Sequence, residues 1–153
     1  MKKTLIVGYG NTLRGDDGAG VRVAERIAEQ HAEIDCLISH QLLPEMAERI
    51  ARYELLVFVD AALGINDVVV SEIKPQKSAK PWSSHRCSPQ SLVNAASTLV
   101  GTAPSCCYLI RIPAFTFDYG DELSPETAHL ADKGVEVVNN ILHHHTTETP
   151  KTG

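Results

Sequence analysis

The stretch from Thr4 to Gly20, TLIVGYGNTLRGDDGAG, decides the fold of this chain. It begins with a short apolar run ended by glycines, which is typical of a fully buried strand. Apolar residues then recur at helical spacing over AGVRVAERIAEQH, with arginine, glutamate and glutamine on the opposite face. The stretch therefore predicts a buried strand, a glycine-rich loop and a helix, which is how an α/β domain begins.

The same alternation continues along the chain. Four more strands are predicted, in the segments EIDCLISH, ELLVFVDAA, NDVVVSEIKP and SCCYLIRIP. Apolar and polar residues partly alternate in NDVVVSEIKP, which favours an edge position for that strand. Three more helices are predicted, in the segments LPEMAERIARY, SPQSLVNAASTLVG and SPETAHLADKGVEVVNNILHH. The last two begin with Ser-Pro, which is typical of a helix start. We expect a three-layer α/β/α sandwich with a mostly parallel five-stranded sheet. The domain should cover residues 1–142, followed by a polar, flexible tail over residues 143–153.

Composition and charge argue against several classes of function. The formal net charge of −5 does not suit a nucleic-acid-binding surface, and no apolar run is long enough to span a membrane. The basic N-terminus is followed too soon by glycine and charge to form a signal peptide. The four cysteines form no CxxC pair, and the adjacent Cys106 and Cys107 are expected to be buried in a strand. We therefore expect a cytoplasmic monomer without nucleic-acid or membrane partners.

The loop after the first strand has part of a dinucleotide-binding pattern. Gly8 and Gly10 fit a G-x-G-x-x-G fingerprint, but Leu13 stands in place of the third glycine. No acidic residue follows the second strand, and the lysine of a phosphate-binding P-loop is absent. Asp16 and Asp17 would repel a phosphate at the start of the helix. A nucleotide site remains a disfavoured alternative.

Two carboxylates and an imidazole instead suggest a metal-directed site. Asp16 or Asp17 stands at the entrance to the first helix, Asp60 ends the third strand, and His85 lies in the loop before the third helix. Each has an ordinary alternative explanation as a helix cap, a turn residue or a surface histidine. However, the carboxyl ends of parallel strands meet at one crevice, and carboxylate with imidazole suits a divalent cation. Three such ligands would leave coordination positions open.

The chain resembles the [NiFe]-hydrogenase maturation endopeptidases. The resemblance rests on GYGNTLRGDDGAG, VFVDAA, SSHRCSPQSLVNAASTLVG and FTFDYGDELSPETAHLADKGVEVV, in the family's order, from Thr4 to about Leu142. It implies an enzyme that removes a C-terminal extension from the hydrogenase large-subunit precursor after nickel insertion. It also implies that Asp17, Asp60 and His85 recognise the nickel. Asp17 stands where many relatives have glutamate, which supplies the same carboxylate with a longer reach.

The resemblance leaves several points open. The nickel would be supplied by the precursor, although another divalent cation could bind the isolated protein. Either the nickel activates the attacking water, or Asp16 or Asp17 serves as general base. His40 and Gln41 stand where several relatives have an acidic, glycine-rich bend, so contacts with the precursor should differ. The alternative function is a docking module that binds a metal-bearing partner without cutting it.

Overall fold

The sheet at the centre of the fold has five strands within residues 2–76 and 87–147, which are the residues that the computed structural model describes. The strands are β1 Thr4–Tyr9, β2 Asp35–Ser39, β3 Leu55–Ala62, β4 Val69–Glu72 and β5 Cys106–Pro113. Their order across the sheet is β2-β1-β3-β5-β4. All neighbours are parallel except β4, an edge strand that runs antiparallel to β5. The mostly parallel sheet and the edge position of the fourth strand are confirmed.

Within the described ranges, four α-helices cover the two faces of the sheet. They are α1 Ala19–Gln30, α2 Met46–Ile50, α3 Pro89–Ala95 and α4 Pro125–Thr147. α1 and α4 pack together on one face, and α2 and α3 lie on the other, which confirms the three-layer sandwich. None of the helices in the described part of the chain combines the length and apolar character needed to cross a membrane.

Alternating side chains of the central strands divide the core into two clusters. In β1, Leu5 and Val7 face α2 and α3, whereas Ile6 faces α1 and α4. All three are fully buried, as the continuous apolar run of this strand predicts. Cys107 of β5 is buried as expected, but Cys106 is only partly buried.

The last helix extends beyond the predicted end of the domain. α4 continues to Thr147, whereas the sequence placed the end of the domain at residue 142. His145 is buried, where its Nδ1 accepts a hydrogen bond from Lys2 Nζ at 3.0 Å and its Nε2 lies 3.1 Å from the Tyr108 hydroxyl. These tertiary contacts hold a polar segment in the helix. Residues 148–153 of the predicted tail lie outside the described residues.

A close approach of α1 to β3 determines where the candidate site lies. A Cβ atom on Gly20, in the first turn of α1, would meet the carbonyl oxygen of Val59. Only glycine allows this contact, which brings the start of α1 over the end of β3. Because Asp17 precedes α1 and Asp60 follows Val59, the contact draws two predicted site residues together.

Candidate active site

The candidate site lies at the carboxyl edge of the sheet, where β1, β3 and β5 end. Asp60 of β3 is paired with Arg111 of β5. Gly8 of β1 is paired with Val59 of β3, so the residues that follow them, Tyr9 and Asp60, lie side by side. Tyr9, Asp60 and Arg111 therefore form one row across three strands. Side chains in such a row point to the same face of the sheet. Tyr9 packs against the α2/α3 core cluster, so this row faces α2 and α3.

The Asp60 carboxyl has a strongly perturbed environment. Burial is the main factor and raises its pKa from 3.8 to about 6. The negative charge of Asp17 also raises the pKa of Asp60. Three other interactions lower it, namely hydrogen bonds from the Tyr9 hydroxyl and the Ala61 N–H and the positive charge of Arg111. Together with the close approach of Gly20 to Val59 and Asp60, the influence of Asp17 indicates that these two predicted carboxylates lie near each other.

Tyr9 is a partner of Asp60 that the sequence did not reveal. Burial, and then the charge and hydrogen bond of Asp60, raise the pKa of Tyr9. The phenol therefore keeps its proton and donates to the Asp60 carboxylate. The signal was the position of a phenol at the end of β1, next to the strand that ends in Asp60. Finding it required the register of β1 with β3, which the sequence pattern does not specify.

A tight turn holds Asp17 at the entrance to α1. Asp17 Oδ2 accepts the backbone N–H of Asn11 at 2.8 Å, and the Asp17 N–H donates to the Arg14 carbonyl at 3.2 Å. Gly10 has a φ of 143°, and a Cβ atom there would meet the Asp17 carbonyl. Among the described residues, no donor contacts Asp17 Oδ1.

Asp16 has a different environment from its neighbour. It is 0% exposed, and its Oδ2 accepts the N–H of Phe115 at 2.8 Å, the N–H of Thr116 at 3.1 Å and the Ser124 hydroxyl at 2.9 Å. Its Oδ1 accepts the Ser124 N–H at 2.7 Å. Burial acts to raise the pKa of Asp16, but these hydrogen bonds outweigh it and lower the pKa. The geometry favours Asp16 as an anchor between two loops over Asp16 as a general base.

His85, the third predicted ligand, lies outside the described residues. The chain resumes at Cys87, which packs against the α2/α3 core cluster and lies near enough to Tyr9 for its charge to affect the Tyr9 pKa. Ser88 then starts α3 with a capping box, in which its hydroxyl accepts the Ser91 N–H at 3.1 Å and Ser91 Oγ accepts the Ser88 N–H at 2.8 Å. The predicted Ser-Pro helix start is thus confirmed.

The described residues do not by themselves contain a complete metal site. Within residues 2–76 and 87–147, no group of three histidine, cysteine, aspartate or glutamate side chains could hold a metal ion. Asp17 and Asp60 contribute two oxygen ligands, which is a set suited to a hard or borderline divalent cation. A third ligand would have to come from outside the described ranges or from a partner.

Comparison with known proteins places this chain in a family. No protein-family model matches the chain. The hydrogenase expression/formation protein HupD of Rhodobacter capsulatus is 33% identical over 144 residues, which cover 86% of this chain and 67% of HupD. The chain belongs to the hydrogenase maturation protease family.

Solved structures agree with this membership. The [NiFe] hydrogenase maturation protease HycI from Thermococcus kodakarensis KOD1 has a TM-score of 0.68 and 26% identity, covering 93% of this chain and 94% of its own. The hydrogenase maturating endopeptidase HybD from E. coli has a TM-score of 0.74 over 94% of this chain and 93% of its own. At 19% identity, the second comparison concerns the fold alone. The family and its fold therefore agree with the resemblance seen in the sequence.

Proposed function

We propose that this chain is an endopeptidase that removes the C-terminal extension of a [NiFe]-hydrogenase large-subunit precursor after nickel has been inserted. Family membership supports processing of a hydrogenase precursor. The observation that supports a metal-dependent step is the packing of the start of α1 against the end of β3, which brings Asp17 and Asp60 to the same edge of the sheet, where the charge of Asp17 raises the pKa of Asp60.

The substrate's nickel would be recognised by Asp17, Asp60 and His85. Two neighbouring carboxylates repel each other, and burial adds a cost for the charge of Asp60. A divalent cation carried by the precursor relieves both costs, whereas an empty precursor leaves them in place. Binding of the precursor thus depends on nickel, and the empty precursor is rejected.

The neighbouring residues prepare the carboxylates for this contact. The Tyr9 hydroxyl donates to Asp60 and restricts its orientation, and the Asn11 N–H does the same for Oδ2 of Asp17. The two carboxylates then present their remaining oxygen atoms to the ligand. Arg111, next to Asp60 in the sheet, offsets part of the negative charge.

Hydrolysis requires a base for the attacking water and stabilisation of the charge that develops on the peptide oxygen. Nickel held by the precursor would polarise the scissile carbonyl. Oδ1 of Asp17 would accept the proton from water once it has left the nickel, so Asp17 would act as a ligand during recognition and as a base during cleavage. Asp16 is a poorer base, because both of its oxygens already accept hydrogen bonds.

The test is incubation of the purified protein with nickel-loaded and with empty precursor, followed by intact-mass measurement. We expect the C-terminus to be shortened only in the nickel-loaded sample. Asp17→Asn and His85→Ala should each reduce the rate at least about a hundredfold, the usual contribution of an acid–base group. Asp67→Asn and His129→Ala alter the same residue types at exposed positions and should process normally.

Two results would contradict the proposal. Equal processing of empty precursor would remove the role of nickel, while leaving a protease. Stable binding of nickel-loaded precursor with no change in its mass would instead identify a docking module.

A further inference from the structure

Three exposed apolar side chains lie at the edge of the sheet that carries Asp17. Leu13 is 53% exposed, Phe115 is 49% exposed and Tyr119 is 86% exposed. Leu13 belongs to the loop between β1 and α1, and the other two belong to the loop between β5 and α4. A group of apolar side chains exposed beside a functional site is typical of an interaction surface.

Backbone hydrogen bonds join the two loops. The Gly120 N–H donates to the Leu13 carbonyl at 2.8 Å, and the Gly15 N–H donates to the Gly120 carbonyl at 2.8 Å. Arg14 and Gly120 accordingly form a parallel β-bridge. Because Tyr119 directly precedes Gly120, Leu13 and Tyr119 lie on neighbouring segments of one surface.

Asp16 fixes this surface relative to the candidate site. Its carboxylate accepts the N–H groups of Phe115 and Thr116 at one end of the second loop, and the N–H and hydroxyl of Ser124 at the other. Asp17 follows Asp16 in the chain. The exposed apolar side chains are therefore linked, through the hydrogen bonds of Asp16, to the segment that carries Asp17.

The same loop is strongly acidic. A groove of about 350 Å³ runs along it and is lined by Asp118, Asp121 and Glu122 together with Tyr119. All three acidic residues are exposed, and none of the ion pairs between described residues involves them. The Arg14 side chain of the neighbouring loop donates its Nε–H to the Phe117 carbonyl at 3.0 Å instead. The groove thus offers negative charge next to apolar area.

We propose that Leu13, Phe115, Tyr119, Asp118, Asp121 and Glu122 form the docking surface for the precursor. The occupant is an extended segment of the precursor, near the bond to be cut, that presents an apolar side chain and at least one lysine or arginine. This inference rests on the proposed function. A protease must hold its substrate chain beside the reacting groups, and this surface adjoins Asp17 with complementary chemistry.

The test measures kcat and KM for the nickel-loaded precursor. Leu13→Ser and Tyr119→Ser should each raise KM about tenfold, equivalent to about 1.4 kcal/mol, and leave kcat within about twofold. Tyr119→Phe keeps the ring and should retain the original KM. Leu99→Ser removes a leucine that is 66% exposed on the turn after α3, away from this surface, and serves as the matched control.

The acidic part of the surface is tested separately. The double variant Asp121→Asn/Glu122→Gln should raise KM at low salt, and the difference should shrink as salt is added because the charges are exposed. Glu29→Gln, an exposed carboxyl on α1, should leave KM unchanged at every salt concentration.

The possible outcomes separate this inference from the proposed function. If the unmodified protein cuts the precursor and KM stays unchanged in the folded Leu13, Tyr119 and double variants, the docking surface is wrong and the function stands. If the unmodified protein does not cut, both fail. A Tyr119→Ser variant that turns a dimer into a monomer at unchanged KM would show a contact between copies of this chain, and would also overturn the inference.

Discussion

The two adjacent aspartates Asp16 and Asp17 illustrate how different the environments of neighbouring residues are. Asp16 is buried, and its oxygens accept four hydrogen bonds, so its charge is stabilised in the folded state. Among the described residues, the Asp17 carboxylate accepts one hydrogen bond, from the Asn11 N–H, and its charge raises the pKa of Asp60. Asp60 in turn is a carboxyl whose charge the fold disfavours. The charged form of Asp60 is therefore the least stable group of the site, and a bound cation would stabilise it.

Asp60→Asn should stabilise the folded protein at neutral pH while abolishing processing. The pKa of Asp60 is raised from 3.8 to about 6, so its contribution to stability is present below 3.8 and is lost as pH rises through 6. Asparagine avoids that loss and still accepts the Tyr9 hydrogen bond. We expect an increase of about 1–2 kcal/mol in the free energy of unfolding at pH 7, measured with urea, that shrinks towards pH 4.

Asp16→Asn is the matched control and should have the opposite sign. The amide offers one acceptor oxygen where the carboxylate offered two, so buried N–H groups lose partners at a cost of about 1–3 kcal/mol. Since the pKa of Asp16 is lowered in the fold, its contribution persists above 3.8 and is lost only as pH falls through the lower folded value. A destabilised Asp60→Asn protein at pH 7 would contradict this account of the site.

The residue pattern pointed to Asp60 and to the pair of Asp16 and Asp17, but it did not separate the two neighbouring aspartates. These residues stand where a helix begins or a strand ends, and chain order alone reveals such positions. The role of Asp16 depends on Phe115 and Ser124, which lie in a distant part of the sequence. The partnership of Tyr9 with Asp60 likewise depends on strand register.

At the level of elements, the contact between α1 and β3 positions the site. Gly20→Ala would place a methyl group against the Val59 carbonyl, which belongs to a central strand and cannot move freely. Alanine is favoured over glycine in a helix by about 1 kcal/mol, but overpacking should outweigh this and destabilise the protein by about 1–3 kcal/mol. Urea unfolding measures the loss, and processing should fall because Asp17 is displaced.

Gly134→Ala in α4 provides the comparison. Its added Cβ would approach most closely the Cδ1 atom at the tip of the Ile112 side chain, which can change rotamer, and would meet Val23 Cγ2 at an ordinary contact distance. The stability change should therefore be small. If the two substitutions cost the same, the backbone contact at Gly20 would not be what places α1.

Regular elements were predictable where an apolar pattern and a stop signal coincided. The run of β3 and the Ser88-Pro89 start of α3 are examples. The end of α4 was not predictable, because residues 143–147 are polar and their helix depends on the burial of His145 against Lys2 and Tyr108. Tertiary contacts of this kind override local sequence preference.

In the molecule as a whole, the same sheet contributes side chains to both core clusters. The packing on each face therefore depends on the same strands. Residues of β3 alternate between them, with Phe58 in one cluster and Val57 and Val59 in the other. Loss of either layer of helices would expose one apolar face of a fully buried strand. We therefore expect the layers to unfold together in a single cooperative transition.

Buried thiols on the two faces can measure that cooperativity. Cys107 lies in the α2/α3 cluster, where burial raises the pKa of its thiol to about 12, so it should react with a thiol reagent only after the structure opens. A first protein keeps Cys107 as its only cysteine, and a second carries Val138→Cys in the α1/α4 cluster as its only cysteine, the other cysteines being replaced by serine in each. Both thiols should give the same opening free energy, equal to that of global unfolding followed by circular dichroism. A markedly lower value at position 138 would mean that α4 opens alone, because local unfolding requires less free energy than disruption of the shared sheet.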